Sequence, residues 1–410
     1  MPNTSGRAIL IFILMALFLC FEMGLQVSPA VMTKDLSVAL HLNSFDLGLM
    51  SGLYFVTYSL MQIPSGLMYD RLHFVKVVCS ALLICGIGAG FFGLSTSLWT
   101  GALARMLMGF GSAFAFLSVL TTAARYFPKK YFAMLAGIAQ LLAALGAIGG
   151  ELPVAWLNEH LGWRHSFLSF MGFAFILVLI IIAVFYNMAA STKQPQETES
   201  LRCSLKGILQ QKQTWIIGLY ALLNWAPMTA FASLWGVPFL MTQFNLSLNL
   251  AASLMSLIWL GVGVASPIMG AVSDLIKARR PILVLTALLG ALAFLVLLNM
   301  ATLTPLEIGI LLFVAGMGAS GQLLSFAVVQ DFTSKARSSA AIGFNNMAVV
   351  ASGLIMQPLI GKLIQMHNTS TVTGVYSLGA FHASLWILPA CNILCVFIAV
   401  FFIRETYAKS

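Results

Sequence analysis

Two charged side chains lie deep in stretches that are otherwise apolar. Glu22 falls in the run 8–31 and Arg105 in the run 98–120. An ionisable group in a span is costly, and it is usually kept because it is functional or paired. A buried carboxyl suits proton carriage; a buried guanidinium suits a carboxylate ligand, or holds a nearby acid ionised. Glu22 is about 14 residues into its run, or ~21 Å at the helical rise. Arg105 is about 7 residues in from the opposite side, or ~10 Å. In a hydrocarbon core of ~30 Å the two stand at nearly the same depth. We expect them to face each other. Burial favours the neutral acid and a nearby cation the carboxylate. A ligand that recruits Arg105 would therefore promote protonation of Glu22.

A second tier of polar and aromatic residues recurs at helical spacing. Gln26 follows Glu22 by four residues and shares its face. Tyr54, Tyr58 and Gln62 form one stripe, and Asn224, Met228, Phe231 and Trp235 lie close to another. Gln322 with Ser325, and Asn345 with Asn346, add amides from the second half. Ordinary helix packing uses the same residue types. The candidates for ligand contact are Arg105, Gln26, Tyr54, Tyr58, Asn224, Trp235, Gln322, Asn345 and Asn346. Glu151, beside Pro153, reads as a carboxylate at the end of its span, exposed to water. Glu307 after Pro305 reads as a helix-start acid favoured by the dipole. Asp331 reads as part of a loop.

The elements that position these residues follow from hydropathy. Hydrophobic residues make up 60% of the chain and charged residues 8%, against about a quarter charged in soluble domains. An all-α integral membrane protein is expected, with twelve spans near 8–31, 46–68, 75–95, 98–120, 131–155, 166–188, 214–240, 248–271, 281–300, 305–328, 338–361 and 378–403. Residues 189–213 form a polar linker with a short amphipathic piece at 201–209. It divides residues 1–188 from 214–410. With the N-terminus inside, 17 of the 21 basic residues fall in inner segments and three in outer ones. That bias puts both termini in the cytoplasm. It also explains the net charge of +9 without a nucleic-acid partner. The six cysteines show no disulfide framework, and no metal cluster, phosphate loop or nucleophile–base set appears. No cofactor and no enzymatic activity are expected.

One polar hinge occurs twice, 204 residues apart. The first copy holds Gly66, Asp70, Arg71, His73 and Lys76; the second holds Gly270, Asp274, Leu275, Arg279 and Arg280. Both follow an apolar run and fall after spans 2 and 8. Glycine there would let two helix ends approach closely, and the basic residues would sit at the anionic inner surface. This pattern resembles the loop of the major facilitator superfamily of secondary transporters, Gly-x-Leu-Ala-Asp-Arg-x-Gly-Arg-Arg. His73 replaces its second glycine, Lys76 alone stands for the basic pair, and Leu275 stands where arginine follows Asp274. The superfamily's Arg-x-x-x-Gly-x-Gly pattern of span 4 matches Arg105, Gly109 and Gly111. Its exporter pattern in span 5 is absent; this chain has Gly146, Gly149 and Gly150 there.

The resemblance covers essentially the whole chain. It implies two six-helix bundles rocking about a central cavity, with the hinges as conformational latches. Taken with Glu22 and Arg105, it points to a monomeric, proton-coupled transporter of a small organic solute, an anion being favoured by Arg105 and uptake by the missing exporter pattern. The near absence of large loops suggests a bacterial inner membrane. The alternatives are a drug, metabolite or siderophore exporter and a non-transporting sensor.

Overall fold

The computed structural model describes residues 4–128, 131–186, 207–333 and 337–407. Among them every regular element is helical. The first half of the chain carries α1 (Thr4–Val27), α2 (Thr33–Ala39), α3 (Ser44–Arg71), α4 (Phe74–Gly93), α5 (Leu98–Ser112), α6 (Ala115–Tyr126) and α7 (Phe132–Tyr186). The second half carries α8 (Lys212–Ala226), α9 (Gly236–Phe244), α10 (Leu248–Leu275), α11 (Arg280–Asn299), α12 (Pro305–Ala319), α13 (Gly321–Asp331), α14 (Ser338–His367), α15 (Leu378–Leu385) and α16 (Ile387–Phe401). The linker read at 189–213 lies largely outside the described residues.

Ten helical stretches are long and apolar enough to cross a bilayer. One of them runs from Met134 to Phe185, 52 residues, which at the helical rise is ~78 Å and far exceeds a ~30 Å core. Gly162 breaks it, at φ 76° and ψ 159°. The expected end of span 5 near residue 155 is therefore corrected. Pro153 lies inside α7, and the backbone leaves helical geometry only at Gly162, whose missing side chain permits the left-handed φ. Helix α3, 28 residues long, lies outside these ten stretches.

Helix starts follow local chemistry. Asn43, Ser97 and Thr304 each accept from the backbone N–H three residues on, with Asp46, Thr100 and Glu307 bonding back to complete capping boxes. These satisfy backbone donors that have no partner within the first turn of a helix. Glu307 is thus the helix-start acid read from the sequence.

Helical regularity also breaks midway in corresponding places. A 3₁₀ turn at Ser28–Val31 ends α1, and a π-helical stretch at Pro227–Trp235 joins α8 to α9. The α5–α6 pair breaks at Ala113 and Phe114, and the α12–α13 pair at Ser320. Helix α5 packs on α3 and α4; α12 packs on α10 and α11. The same packing scheme therefore recurs in both halves.

The halves meet most extensively along α3 and α14, and next along α7 and α10. We call the end bearing Arg71, Lys76 and Arg280 the basic end. At the far end the halves are in intimate contact. A Cβ on Gly48 would strike the Gln357 carbonyl, and one on Gly361 the Ser44 carbonyl. Asn249 Nδ2 donates to Glu159 Oε2 at 2.7 Å, and the Ser37 and Tyr376 hydroxyls are 3.3 Å apart. At the basic end a Cβ on Gly66 or Gly270 would meet nothing within 4 Å. The close approach expected at these two glycines is absent in this conformation; it occurs at Gly48, Gly353 and Gly361 instead.

Candidate functional site

The chemistry of the first half gathers around Tyr54. Its hydroxyl donates to Glu22 Oε1 at 3.0 Å. Tyr58, one turn on, sets its ring edge-on at 5.7 Å. Helix α5 reaches this point because Gly109 has no side chain: a Cβ there would run into the Tyr54 carbonyl. Arg105, one turn before Gly109, places its guanidinium 4.5 Å from the Tyr54 ring centroid. Its Nη1 donates to the Leu25 carbonyl at 2.8 Å and its Nη2 to the Gln26 carbonyl at 3.3 Å.

Those acceptors have a local cause. In a continuing helix the Leu25 carbonyl would receive the N–H of residue 29, but residue 29 is proline and has none. Arg105 supplies a donor from a second helix, beside a longer bond from Ser28 Oγ at 3.3 Å. Glu22 and Arg105 are fully buried. Glu22 Oε2 and Arg105 Nε have no hydrogen-bond partner among the described residues.

The expected face-to-face contact of Glu22 and Arg105 is corrected. No ion pair between them is present among the described residues. Tyr54 stands between them, its hydroxyl on the acid and its ring under the cation. The guanidinium is drawn a turn further along α1, to the carbonyls of Leu25, which Pro29 deprives of its helical donor, and of Gln26. Gln26 contributes its carbonyl to that arrangement.

In the second half the amides act first as ties between helices. Asn224 Nδ2 donates to the Gly318 carbonyl at 3.1 Å, and Asn345 Nδ2 to Ser325 Oγ at 2.8 Å. The oxygens of both amides are buried without a donor among the described residues. Gln322 is buried nearby in sequence, one turn before Ser325. Asn346 instead reaches across the halves, Nδ2 to Gln62 Oε1 at 2.6 Å. Trp235 belongs elsewhere. Its Nε1 donates to the Gln357 carbonyl at 3.2 Å, its ring meets Tyr376, and it borders Gly361 in the far-end contact.

The two hinges differ. In the second, Arg279 Nη1 bonds Asp274 at 2.6 Å, its Nε lies 3.5 Å from Asp331, and its guanidinium stacks over Tyr407. The Arg279 and Arg280 backbone N–H groups donate to Glu405 at 2.8 and 3.0 Å. Partial burial pushes the Glu405 carboxyl up, but N–H donors from Arg279, Arg280, Tyr407 and Thr406 outweigh it and hold it below the usual range. Asp331 is therefore part of a network rather than a bare loop. In the first hinge Arg71 and Lys76 are exposed, and the Asp70 side chain lies outside the description. Beside it Arg125 Nη2 donates to the Tyr69 carbonyl at 2.5 Å.

Sequence reasoning misjudged Glu151. It is fully buried, not water-exposed. Trp259 Nε1 donates to its Oε1 at 2.8 Å, and Ser256 Oγ lies 3.3 Å from Oε2. Both partners come from α10 in the other half.

Long apolar helices in two matching halves, with charges buried at mid-helix, define a multi-pass membrane protein whose interior is built for polar chemistry. Its relatives make the class specific. The Major Facilitator Superfamily model matches residues 10–237 and 217–410, and the chain belongs to that superfamily. A putative tartrate transporter of Agrobacterium vitis is 21% identical over 212 residues, 50% of this chain and 44% of the relative. The cis,cis-muconate transport protein of Acinetobacter baylyi is 23% identical over 213 residues, 47% and 51% of the two chains. A probable galactarate/D-glucarate transporter of Escherichia coli K12 is 26% identical over 190 residues, 44% and 41% of the two. The chain thus spans about half the length of the curated relatives it matches. In fold it resembles a bacterial homologue of the human lysosomal transporter Spinster, with TM-score 0.76, 16% identity and 97% and 95% of the chains covered. The nucleoside transporter NupG gives TM-score 0.72 at 15% identity, with 94% and 99% covered.

Proposed function

We propose that this protein is a secondary active transporter that takes up a small organic anion together with protons. The observation that carries the reading is the buried set Glu22–Tyr54–Arg105. A carboxyl with one oxygen free of partners is held by a tyrosine beneath a cation that no carboxylate neutralises. Glu22 is the proton carrier. Arg105 attracts the anion, while Tyr54, Tyr58 and Gln26 line its approach. The donor-free oxygens of Asn224 and Asn345 suit hydroxyl groups of a ligand. Gln322 and Asn346 complete the second half's contribution, and Trp235 closes the far side. Relatives named for tartrate, galactarate and muconate point to a dicarboxylate, in two cases with hydroxyl groups.

Twelve crossings follow when α7 is taken as two rods and α3 is added to the ten apolar stretches. The basic bias places both termini and both hinges in the cytoplasm, most simply of a bacterial inner membrane. Bundles 1–188 and 214–410 then rock as a monomer, joined through 189–213, and the conformation described here is sealed on the outer side. Gly66, Asp70, Arg71 and Lys76, with Gly270, Asp274, Arg279 and Arg280, act as latches when the inner side closes.

The test is uptake into proteoliposomes under an imposed pH gradient, with tartrate, galactarate and muconate as probes. Wild type is expected to accumulate at least one of them. Glu22→Gln is expected to lose the response to the gradient while still exchanging anion for anion. Unchanged gradient-driven uptake by the variant would remove Glu22 from the mechanism. A folded wild type that moves no organic anion with the gradient would sink the coupled reading.

A further inference from the structure

Glu151 is a carboxyl of the first half whose hydrogen-bond partners all belong to the second. It lies on α7, in contact with α10, where Trp259 Nε1 donates to Oε1 at 2.8 Å. Ser256 Oγ lies 3.3 Å from Oε2, and 3.0 Å from the Ala252 carbonyl of its own helix. A hydroxyl has one hydrogen to give, so Ser256 cannot serve both. The shorter contact takes it. If the acid is neutral, its own hydrogen makes the longer one, donated to Ser256 Oγ. The neutral acid satisfies every group in line: indole to Oε1, Oε2–H to serine, serine to carbonyl. A carboxylate in the same place would be a buried charge facing two neutral donors, with no cation to offset it.

The surroundings supply no such cation. Arg7, Cys20 and Glu22 are the titratable groups of α1, which packs on α7, and Arg7 is exposed in its first turn at the basic end. Helix α10 carries no charged side chain before Asp274 at its basic end. Lys76 and Arg125, from α4 and α6, also lie towards that end, with Cys79, Cys85 and Tyr126 the other titratable groups on those helices. Further along α7, Glu159 is engaged by Asn249, Arg164 by the Gly93 and Ser95 carbonyls, and His160 and His165 by carbonyls of their own helix. None of these is in hydrogen-bonding contact with Glu151.

We propose that Glu151 is a second proton site, built into the contact between the halves and emptied when that contact parts. The proposal rests on the rocking-bundle reading above. When α7 and α10 separate at the far end, Glu151 loses Trp259 and Ser256 and meets water. The O–H bond breaks, the electron pair stays on the carboxylate, and the proton leaves to the outer solution. Reclosing requires the proton back. This site differs from Glu22, whose tyrosine partner lies in its own half and need not be lost on opening.

Two measurements test this without any transported compound, so their failure is separate from failure of the transport reading. The first is the infrared spectrum of the protein in liposomes at neutral pH. The carbonyl stretch of a protonated carboxyl in an apolar setting is expected in wild type and in Glu22→Gln, with a component lost in Glu151→Gln. The second is the distance between spin labels at Thr96→Cys and Thr302→Cys, one in each half, with native cysteines replaced. In wild type the far-end distance is expected to lengthen as pH rises. Glu151→Gln, which imitates the neutral acid and should fold, is expected to stay short at every pH. Trp259→Phe, which removes one donor and keeps the acid, is expected to open at lower pH than wild type. An infrared spectrum unaltered by Glu151→Gln overturns the proposal. So does a wild-type distance that ignores pH, or a glutamine variant that opens on the wild-type profile.

Discussion

In α5, Gly109 and Gly111 bring the helix against the Tyr54 and Ala81 carbonyls of α3 and α4; in α12, Gly316 and Gly318 bring it against the Ile258 carbonyl of α10 and against Gly290 and Thr286 of α11. The Gly-x-Gly step is the same device in both halves. One turn earlier the halves part company. Arg105 stands before Gly109, and Leu312 stands before Gly316; both are fully buried. What is repeated is the backbone frame, which sets how closely three helices can pack. What is not repeated is the charge. The first half holds Glu22, Arg105 and Glu151 inside its helices, while the second answers with amides, hydroxyls and indoles. A carrier whose helix-buried acids and cation all lie in one half can change protonation there while the interior of the other half carries no charge.

Moving the charge across should show how unequal the halves are. Leu312→Arg puts a cation where no proline-bared carbonyls wait for it. It is expected to cost about 2.5–3.5 kcal/mol, the insertion cost of a central arginine, read as a large loss in yield and unfolding temperature. The reciprocal Arg105→Leu should cost about 1–3 kcal/mol through the donors it takes from the Leu25 and Gln26 carbonyls. A Leu312→Arg variant with wild-type yield and unfolding temperature would mean that the halves are not specialised in this way. The frame should behave oppositely. Gly109→Ala and Gly316→Ala each drive a methyl into a carbonyl and are expected to destabilise by about 1–3 kcal/mol, and by similar amounts. A tolerant Gly316→Ala would break the equivalence. The smallest effect concerns the contact between the halves nearer the basic end. A double-mutant cycle on Gln62 and Asn346 is expected to give a coupling of about 0.5–1.5 kcal/mol by thermal unfolding. No coupling would mean that this bond does not hold the halves together.

Much of this was legible in the sequence because membranes simplify the problem. Apolar runs mark helices, and the 17-to-3 bias of basic residues sets a consistent orientation. Glu22 and Arg105 stood out because charge in an apolar run is rare. Their relation was not legible. Hydropathy gives depth but not azimuth, and the pull of Pro29 on Arg105 acts through a backbone carbonyl that sequence patterns do not display. Glu151 was misplaced for a related reason. Proline beside it suggested the end of a span, yet Pro153 sits inside a helix that continues to Gly162. That leaves Glu151 well inside the helix rather than at its rim. The hinge glycines were read as points of close approach, and their openness here belongs to one conformation that a sequence cannot select.

The partners of the buried acids also set an order of events during synthesis. Glu22 waits 32 residues for Tyr54, and Leu25 waits 80 for Arg105. Glu151 waits 105 residues for Ser256 and 108 for Trp259. At ~5–20 residues per second of translation, that last wait is on the order of ten seconds. Through it the nascent first half carries an acid in the bilayer whose partners do not yet exist. On the rocking-bundle proposal, the contact that divides and rejoins is one that synthesis makes possible only after the whole first half is complete.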